Sequence, residues 1–138
     1  MTWDPLEYKH QELTQAIIHV FYEVYNELGH GFLESVYEES MAIALTQSGI
    51  KAVRQQPLAV WFRGQQVGDF RPDLVVNQDV IVELKAARCL EPFHEAQLLN
   101  YLRASSVEVG LLLNFGQTPK IKRMVFGNEK KIHLRIPA

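Results

Sequence analysis

The sequence predicts an α/β fold, a three-layer sandwich with a mixed central sheet, from three observations. Apolar residues recur at three- and four-residue steps through the first 50 positions, as they do in amphipathic helices. Residues 51–87 then alternate between apolar and polar positions, with turn residues between the runs, which is typical of meandering strands. A helical segment and an almost wholly apolar run at 109–115 follow, and a strand buried on both faces has that composition.

Two helices are predicted before the strands. The first ends at Gly29, because glycine is the commonest residue just past a last helical turn, and its apolar positions are Leu13, Ile17, Val20, Phe21, Val24 and Leu28. The second runs from about Phe32 to Ser48 and stops at Gly49, with Leu33, Val36, Tyr37 and Ala44 on one stripe.

Three strands are predicted next, at 51–62, 65–76 and 79–87, with Arg63-Gly64 turning the chain between the first two. A third helix covers Pro92 to Ser105. Because this helix connects the third strand to 109–115, we expect a right-handed crossover that makes those two strands parallel neighbours. Residues 119–126 add a short edge strand.

Two carboxylates and an ammonium lie on the hairpin formed by the second and third predicted strands: Asp73, Glu83 and Lys85. If the loop is the three residues 77–79, Asp73 lies opposite Glu83 and both share a face with Lys85. A loop of two residues, 77–78, slips the register by one and separates the carboxylates onto opposite faces. The predicted site therefore depends on the turn.

With the three-residue loop, one face of the hairpin is apolar throughout and is predicted to face a core: Pro72, Leu74, Val76, Val80, Val82 and Leu84. The other face holds Arg71, Asp73, Val75, Ile81, Glu83 and Lys85, with its charges at one end. Opposed carboxylates repel unless a positive charge lies between them, and a divalent cation supplies two. We predict a metal site here; the alternative is a salt-bridge ladder of these carboxylates around Lys85 on an exposed sheet.

Composition limits the class of protein. With 138 residues, 47% of them hydrophobic, the chain is long enough for one compact domain and too short for two, so we expect 1–138 to be a single domain. No apolar run approaches the roughly 20 residues that cross a membrane, and no signal peptide is evident. A lone cysteine, Cys89, fits a reducing, cytoplasmic location, and we expect it to be a small buried residue.

Charge is distributed unevenly around a net value of −2. Residues 1–50 hold eight acidic residues and one lysine, whereas residues 103–138 hold seven basic residues and two acidic ones. The basic set is Arg103, Lys120, Lys122, Arg123, Lys130, Lys131 and Arg135. This set either follows a phosphate backbone or forms a solvated tail that balances the acidic N-terminal helix, and charge alone leaves both open.

Three further segments accompany the Pro72-Asp73 and Glu83-Leu84-Lys85 pair: Gly31–Tyr37, His94–Leu102 and Leu112–Gly116. Together with the element order, they resemble the PD-(D/E)xK nuclease superfamily, and more narrowly its small GxxExxY branch, over approximately residues 10 to 126. The Pro-Asp and Glu-x-Lys letters alone are few, so the likeness depends on the combination. The resemblance implies an αβββαβ core of the restriction-endonuclease-like type and hydrolysis of phosphodiester bonds.

The resemblance also implies roles for these residues. Asp73 and Glu83 would ligate Mg²⁺, or Mn²⁺ as its substitute, together with a backbone carbonyl near Leu84. Lys85 would hold or activate the attacking water. The family pattern brings Glu34 to the site as a further ligand, directly or through water, although a helix glutamate beside two others is ordinarily solvated.

The third helix contributes a second group of candidates. Gln97 and Tyr101 are four residues apart and share a face, with His94 nearby. Their spacing resembles the exonuclease and recombination branches of the superfamily, in which such residues support the site and touch nucleic acid. The alternative is that Tyr101 packs in the core with its hydroxyl satisfied while Gln97 caps a neighbouring strand.

The sequence lacks Gly-x-Ser-x-Gly, a phosphate loop, Cys-x-x-Cys and His-Glu-x-x-His. We therefore expect a Mg²⁺-dependent endonuclease acting on DNA. The alternative is a non-hydrolytic module that keeps the fold and binds nucleic acid or a protein. Since so short a chain has no appended recognition domain, we expect sequence preference to come from loops, a homodimer partner or another protein.

Overall fold

The computed structural model of the protein describes residues 6–134. Its helices are α1 (Gln11–Leu28), α2 (Glu34–Gln47) and α3 (Pro92–Ala104), and two short 3₁₀ helices cover Asn128–Lys130 and Ile132–Leu134. The strands are β1 (Ala52–Arg54), β2 (Leu58–Phe62), β3 (Gln65–Phe70), β4 (Leu74–Val76), β5 (Val80–Lys85), β6 (Val109–Phe115) and β7 (Pro119–Val125). No helix in this described part is long and apolar enough to cross a bilayer.

Five strands form the central sheet in the order β1-β4-β5-β6-β7. The β5–β6 pair is parallel and the other pairs are antiparallel, so the sheet is mixed. The predicted parallel pairing of β5 with β6, which α3 connects, is confirmed, as is the edge strand at the end of the sheet. The architecture is the α/β, mixed-sheet arrangement that the element order predicted, and it agrees with the restriction-endonuclease-like core that the resemblance implied.

The sheet carries an apolar cluster on each face. On one face, α1 and α2 cover alternate residues of β4, β5 and β6, and the ring of Tyr37 stacks on Phe115 with centroids 4.1 Å apart. On the other face, Leu98 and Leu102 of α3 cover Ile81 and Leu112. These two clusters hold helices against both faces and give the three predicted layers.

The crossover helix approaches the sheet most closely at Gly110. A β-carbon at this position would lie 2.8 Å from Leu98 of α3. Glycine therefore allows α3 to lie directly on β6 at this point, since any side chain would force Leu98 to move.

Two of the predicted strands were too long. The segment 51–62 is interrupted at Gln55, which has a left-handed φ of 53°, and the segment 65–76 is interrupted around Pro72, which has no N–H for a sheet ladder. The inner halves, β1 and β4, pair in the central sheet. The outer halves, β2 and β3, form a separate two-stranded sheet, residues 58–70, called the hairpin arm below.

The turn between β4 and β5 has the register that the predicted site requires. Asn77 and Gln78 both have positive φ, 51° and 60°, and the Asp79 N–H donates to the Val76 carbonyl at 2.9 Å. Val76 pairs with Val80, and the pairing continues in register along both strands. The three-residue loop is thus confirmed, and the slipped register is not formed.

The segment after β7 is held to the end of α3 by a buried lysine. Lys131 is 1% exposed, and its ammonium donates to the carbonyls of Ser105 and Val107, each at 2.8 Å. Burial lowers the pKa of Lys131 to about 8, against the charges of Glu108 and Glu129. Lys131 therefore lies outside any phosphate-binding surface, contrary to its place in the predicted basic set.

We expect Lys131→Met to lower the free energy of unfolding by about 2 kcal/mol, because two buried carbonyls would lose a charged donor. Urea unfolding measures this difference. The neighbouring Lys130→Met, at an exposed position, should stay within about 0.5 kcal/mol of wild type. Equal losses in the two variants would mean that the buried ammonium contributes no more than an exposed one.

Candidate active site

The two predicted carboxylates meet where the chain enters β4 and leaves β5. The Asp73 N–H donates to Glu83 Oε1 at 3.0 Å, and the Leu84 N–H donates to Asp73 Oδ2 at 2.8 Å. These reciprocal bonds continue the β4–β5 pairing by one step through side chains. Both carboxyl groups are thereby fixed at the same end of the sheet, on the face that α3 covers.

This part of the sheet is buried. Glu83 is 5% exposed, Asp73 is partly buried, and β4 and β5 are covered on both faces. Lys85 lies near both carboxylates without forming an ion pair with either. The alternative of a salt-bridge ladder on an exposed sheet is therefore wrong.

Burial and mutual repulsion favour the protonated form of the carboxyl pair. Burial raises the pKa of Glu83 to about 8, with the charge of Asp73 adding to the effect and the Asp73 N–H opposing it. The pKa of Asp73 is raised as well, first by burial, against the Leu84 N–H, with further contributions from the charges of Glu38 and Glu34. The surroundings of the pair therefore supply too little positive charge to keep both carboxylates ionised. A divalent cation bound to their oxygens would supply that charge.

Glu34 is the first residue of α2 and reaches toward the same end of the sheet. Its Oε1 accepts the N–H of Ala86, the residue after Lys85, at 3.4 Å. Tyr37 fixes the loop before it, donating its hydroxyl to the Gly29 carbonyl at 2.6 Å and accepting the Phe32 N–H at 3.2 Å. In this Gly-x-x-Glu-x-x-Tyr segment, the tyrosine anchors the loop and the glutamate points to the site.

Two neighbours of the site were missed from the sequence, Glu38 and Gln55. Glu38 lies one turn after Glu34, and its Oε1 accepts from Arg54 Nε at 3.3 Å and from Gln55 Nε2 at 3.1 Å. Gln55 Nε2 also lies 3.5 Å from Asp73 Oδ1. The four-residue spacing from Glu34 was a usable signal for Glu38, whereas Gln55 lay inside a segment predicted to be a continuous strand.

Asn114 positions the chain just beyond Lys85. Its buried amide accepts the Ala87 N–H at 2.9 Å and donates to the Ala87 carbonyl at 3.0 Å. Gly116 leaves room for that segment, because a β-carbon there would lie 2.7 Å from the same carbonyl. The Leu112–Gly116 segment thus holds the backbone that Glu34 contacts.

Two of the α3 candidates, Gln97 and Tyr101, contact each other. Gln97 Nε2 donates to the Tyr101 hydroxyl at 2.9 Å, and Phe70 at the base of the hairpin arm stacks on the Tyr101 ring at 4.2 Å. Burial raises the pKa of Tyr101, and so do the charges of Glu83 and Asp73, which places its hydroxyl near the carboxylates. Tyr101 therefore both packs in the second cluster and approaches the site.

His94 and Cys89 have other surroundings. His94 Nδ1 accepts the Glu91 N–H at 3.0 Å as part of a capping box at the start of α3. Cys89 is exposed, with its thiol 3.2 Å from Glu91 Oε1, so the expectation that it is buried was wrong. The Glu91 hydrogen bond and charge raise the pKa of this thiol, which makes it a poor nucleophile.

Two members of the predicted basic set, Lys120 and Lys122, lie on β7 close to the candidate site. In the strand register Lys85 lies opposite Asn114, which lies opposite Lys120, so the three form one row across the α3 face. Lys122, two residues along β7, pairs with Glu95 of α3 at 3.5 Å. Lys120 and Lys122 are thus the members of the set that flank the candidate site.

Comparison with known families matches the sequence to the PD-(D/E)XK nuclease superfamily over residues 11–124. The chain belongs to this superfamily. Among solved structures, the crystal structure of SSO0001 is similar, with a TM-score of 0.54 and 16% sequence identity. The match covers 88% of this chain and 59% of that chain. At that identity the likeness concerns the fold alone. No curated protein matches the sequence.

Membership of the PD-(D/E)XK superfamily agrees with the order and spacing of the elements that carry the two motif halves. Pro72-Asp73 lies directly before β4, and Glu83-Leu84-Lys85 ends β5. The narrower assignment to the GxxExxY branch stays a prediction from the sequence.

Proposed function

We propose that the protein is a metal-dependent nuclease that hydrolyses phosphodiester bonds, with DNA as its substrate and internal bonds as the points of cleavage. The observation that carries the proposal is the buried, opposed pair of Asp73 and Glu83, with Lys85 two residues further on the same face. Superfamily membership supports a nuclease-type activity.

In this proposal Asp73 and Glu83 hold Mg²⁺ or Mn²⁺, with Glu34 as a further oxygen ligand and a main-chain oxygen near Leu84 completing the protein's share. When bound, the cation supplies charge for the scissile phosphate and acidifies a water molecule. The donors fit in chemical kind, because hard divalent cations prefer carboxylate and carbonyl oxygens.

Other residues of the chain would position the attacking water and the substrate. The Lys85 ammonium lies on the same face as both carboxylates, where it donates to the attacking water or to a phosphate oxygen as negative charge develops. Asn114 keeps the backbone after Lys85 in place. Tyr101 and Gln97 line the α3 side, where a protonated hydroxyl is available to donate to substrate.

Metal binding is expected to stabilise the wild type against heat, because a ligand that binds only the folded state raises its stability. At a Mn²⁺ concentration of 100 times Kd, the gain is about 2.7 kcal/mol. Thermal melts with and without Mn²⁺ measure it. Asp73→Asn should abolish the rise, and an equal rise in both proteins would place the bound ion elsewhere.

Lys120 and Lys122 are expected to contact the phosphate backbone of the substrate. Replacing both with glutamate should weaken DNA binding and flatten the slope of log affinity against log salt by somewhat under one unit for each phosphate that is no longer neutralised. Fluorescence anisotropy across several salt concentrations checks this. Lys130→Glu is the single-charge control. Lys130 belongs to the short 3₁₀ helix whose first residue, Asn128, donates its N–H to Glu108 just before β6 begins. A slope unchanged in the double variant would direct the substrate over Arg63, Arg71 and Arg88 instead.

One observation favours the alternative of a non-hydrolytic binding module. Among the described residues, no group of three or more His, Cys, Asp or Glu side chains is arranged to hold a metal ion. Wild-type protein incubated with single- and double-stranded DNA and RNA, with Mg²⁺ or Mn²⁺, separates the two functions. Cleavage of any of these supports the nuclease, and intact substrates under every condition would favour the binding module.

A further inference from the structure

Gln55 has the most unusual position among the residues around the carboxylates. It follows β1 directly and adopts a φ of 53°, a left-handed conformation that a non-glycine residue seldom adopts without a compensating interaction. Its backbone N–H donates to the Asp73 carbonyl at 3.2 Å. The main chain thus ties this strained residue to the entry of β4.

The side chain of Gln55 connects two carboxylates. A carboxamide has two N–H donors, and here the nitrogen lies 3.1 Å from Glu38 Oε1 and 3.5 Å from Asp73 Oδ1. Arg54 donates to the same Glu38 oxygen at 3.3 Å, and the Glu38 side chain is only 12% exposed. Glu38 is therefore held from two sides and forms a fixed support for the amide.

We propose that Gln55 is a positioning residue, whose carboxamide bridges Glu38 and Asp73 and holds Asp73 in the orientation in which it binds the cation with Glu83. The inference rests on the proposed function. A neutral amide suits this place because it orients a carboxylate without adding a ligand or cancelling its charge. Groups one step behind metal ligands act in this manner elsewhere, and their loss weakens metal binding about 10- to 100-fold.

The competing explanation is that Gln55 only closes the turn between β1 and β2. Two substitutions separate these roles. Gln55→Met keeps the length of the side chain and removes its donors. Gln55→Gly removes the side chain and also relieves the left-handed backbone, since glycine adopts positive φ readily.

The experiment is calorimetric titration of Mn²⁺ into the metal-free protein, with thermal melts of each variant. We expect both Gln55 variants to bind Mn²⁺ about tenfold more weakly than wild type, while Gln55→Gly raises Tm. Gln56→Met is the matched control. The side chains of Gln56 and Gln78 form two reciprocal amide hydrogen bonds, of 3.0 and 2.8 Å, and these do not involve the carboxylates. The control variant should bind Mn²⁺ as wild type does.

A double-variant cycle tests the bridge itself. If Gln55 acts through Glu38, adding Gln55→Met to Glu38→Gln should weaken Mn²⁺ binding by less than the same change does in the wild type. Independent, multiplicative losses would overturn the bridge.

The remaining outcomes are distinct. Gln55 variants that bind Mn²⁺ like wild type, while Asp73→Asn does not bind, would overturn the positioning role and leave the proposed nuclease site intact. A wild type that binds Mn²⁺ no better than Asp73→Asn would overturn the site and the positioning role together.

Discussion

Lys85→Ala is expected to reduce the rate of plasmid nicking at least 100-fold in Mg²⁺ while leaving Mn²⁺ affinity near that of the wild type. The substitution removes the positive charge that the proposed function places beside the reacting phosphate, and loss of one such group from a preorganised site costs about 10²- to 10³-fold in rate. Both carboxylates and their backbone hydrogen bonds remain. Single-turnover nicking and calorimetric titration measure the two quantities separately.

The control for this substitution is Lys51→Ala. Lys51 is exposed and lies beside Asn77, at the loop end of β4 and therefore at the opposite end of the sheet from Asp73. Its loss should change nicking less than twofold. Equal activity in the Lys85 and Lys51 variants would remove Lys85 from the reaction.

The predicted hairpin succeeded because its two constraints are local. Val and Leu residues at alternate positions require a buried face, and only the three-residue loop keeps them together on both strands. That register also fixes Asp73 against Glu83, so the centre of the candidate site followed from a turn and a hydrophobic pattern. The crossover was equally accessible, because a helix between two apolar strands leaves few topologies.

The features that sequence reasoning missed depend on contacts between distant segments. No residue type next to Gln55 in the sequence indicates a left-handed conformation, and its proposed role depends on contacts with Glu38 and Asp73, 17 and 18 positions away. From the sequence, Lys131 is indistinguishable from the surface cations around it. Only the fold brings it to the carbonyls that follow α3. Such side-chain partners are determined by tertiary packing, so the periodicity of hydrophobic residues in the sequence does not predict them.

The free energy of unfolding of the metal-free protein is expected to fall as pH rises from 5 to 8. The folded pair of Asp73 and Glu83 keeps a proton up to about pH 8, whereas an unfolded glutamate loses it near 4.5. The folded state therefore binds more protons than the unfolded state throughout this interval. The associated stability is complete below the unfolded pKa and is lost as pH approaches the folded one.

The expected slope is at most about 1.4 kcal/mol per pH unit, or roughly 3–4 kcal/mol across the interval, measured by urea unfolding in EDTA. Glu83→Gln should flatten most of the slope because the shared proton is gone, while Glu12→Gln, at an exposed position on α1, should keep it. Saturating Mn²⁺ should reverse the trend, since the cation binds the ionised pair and competes with the proton. If the metal-free protein became more stable toward pH 8, the folded pair would already be ionised. Its raised pKa would then no longer support the proposal that it requires a cation.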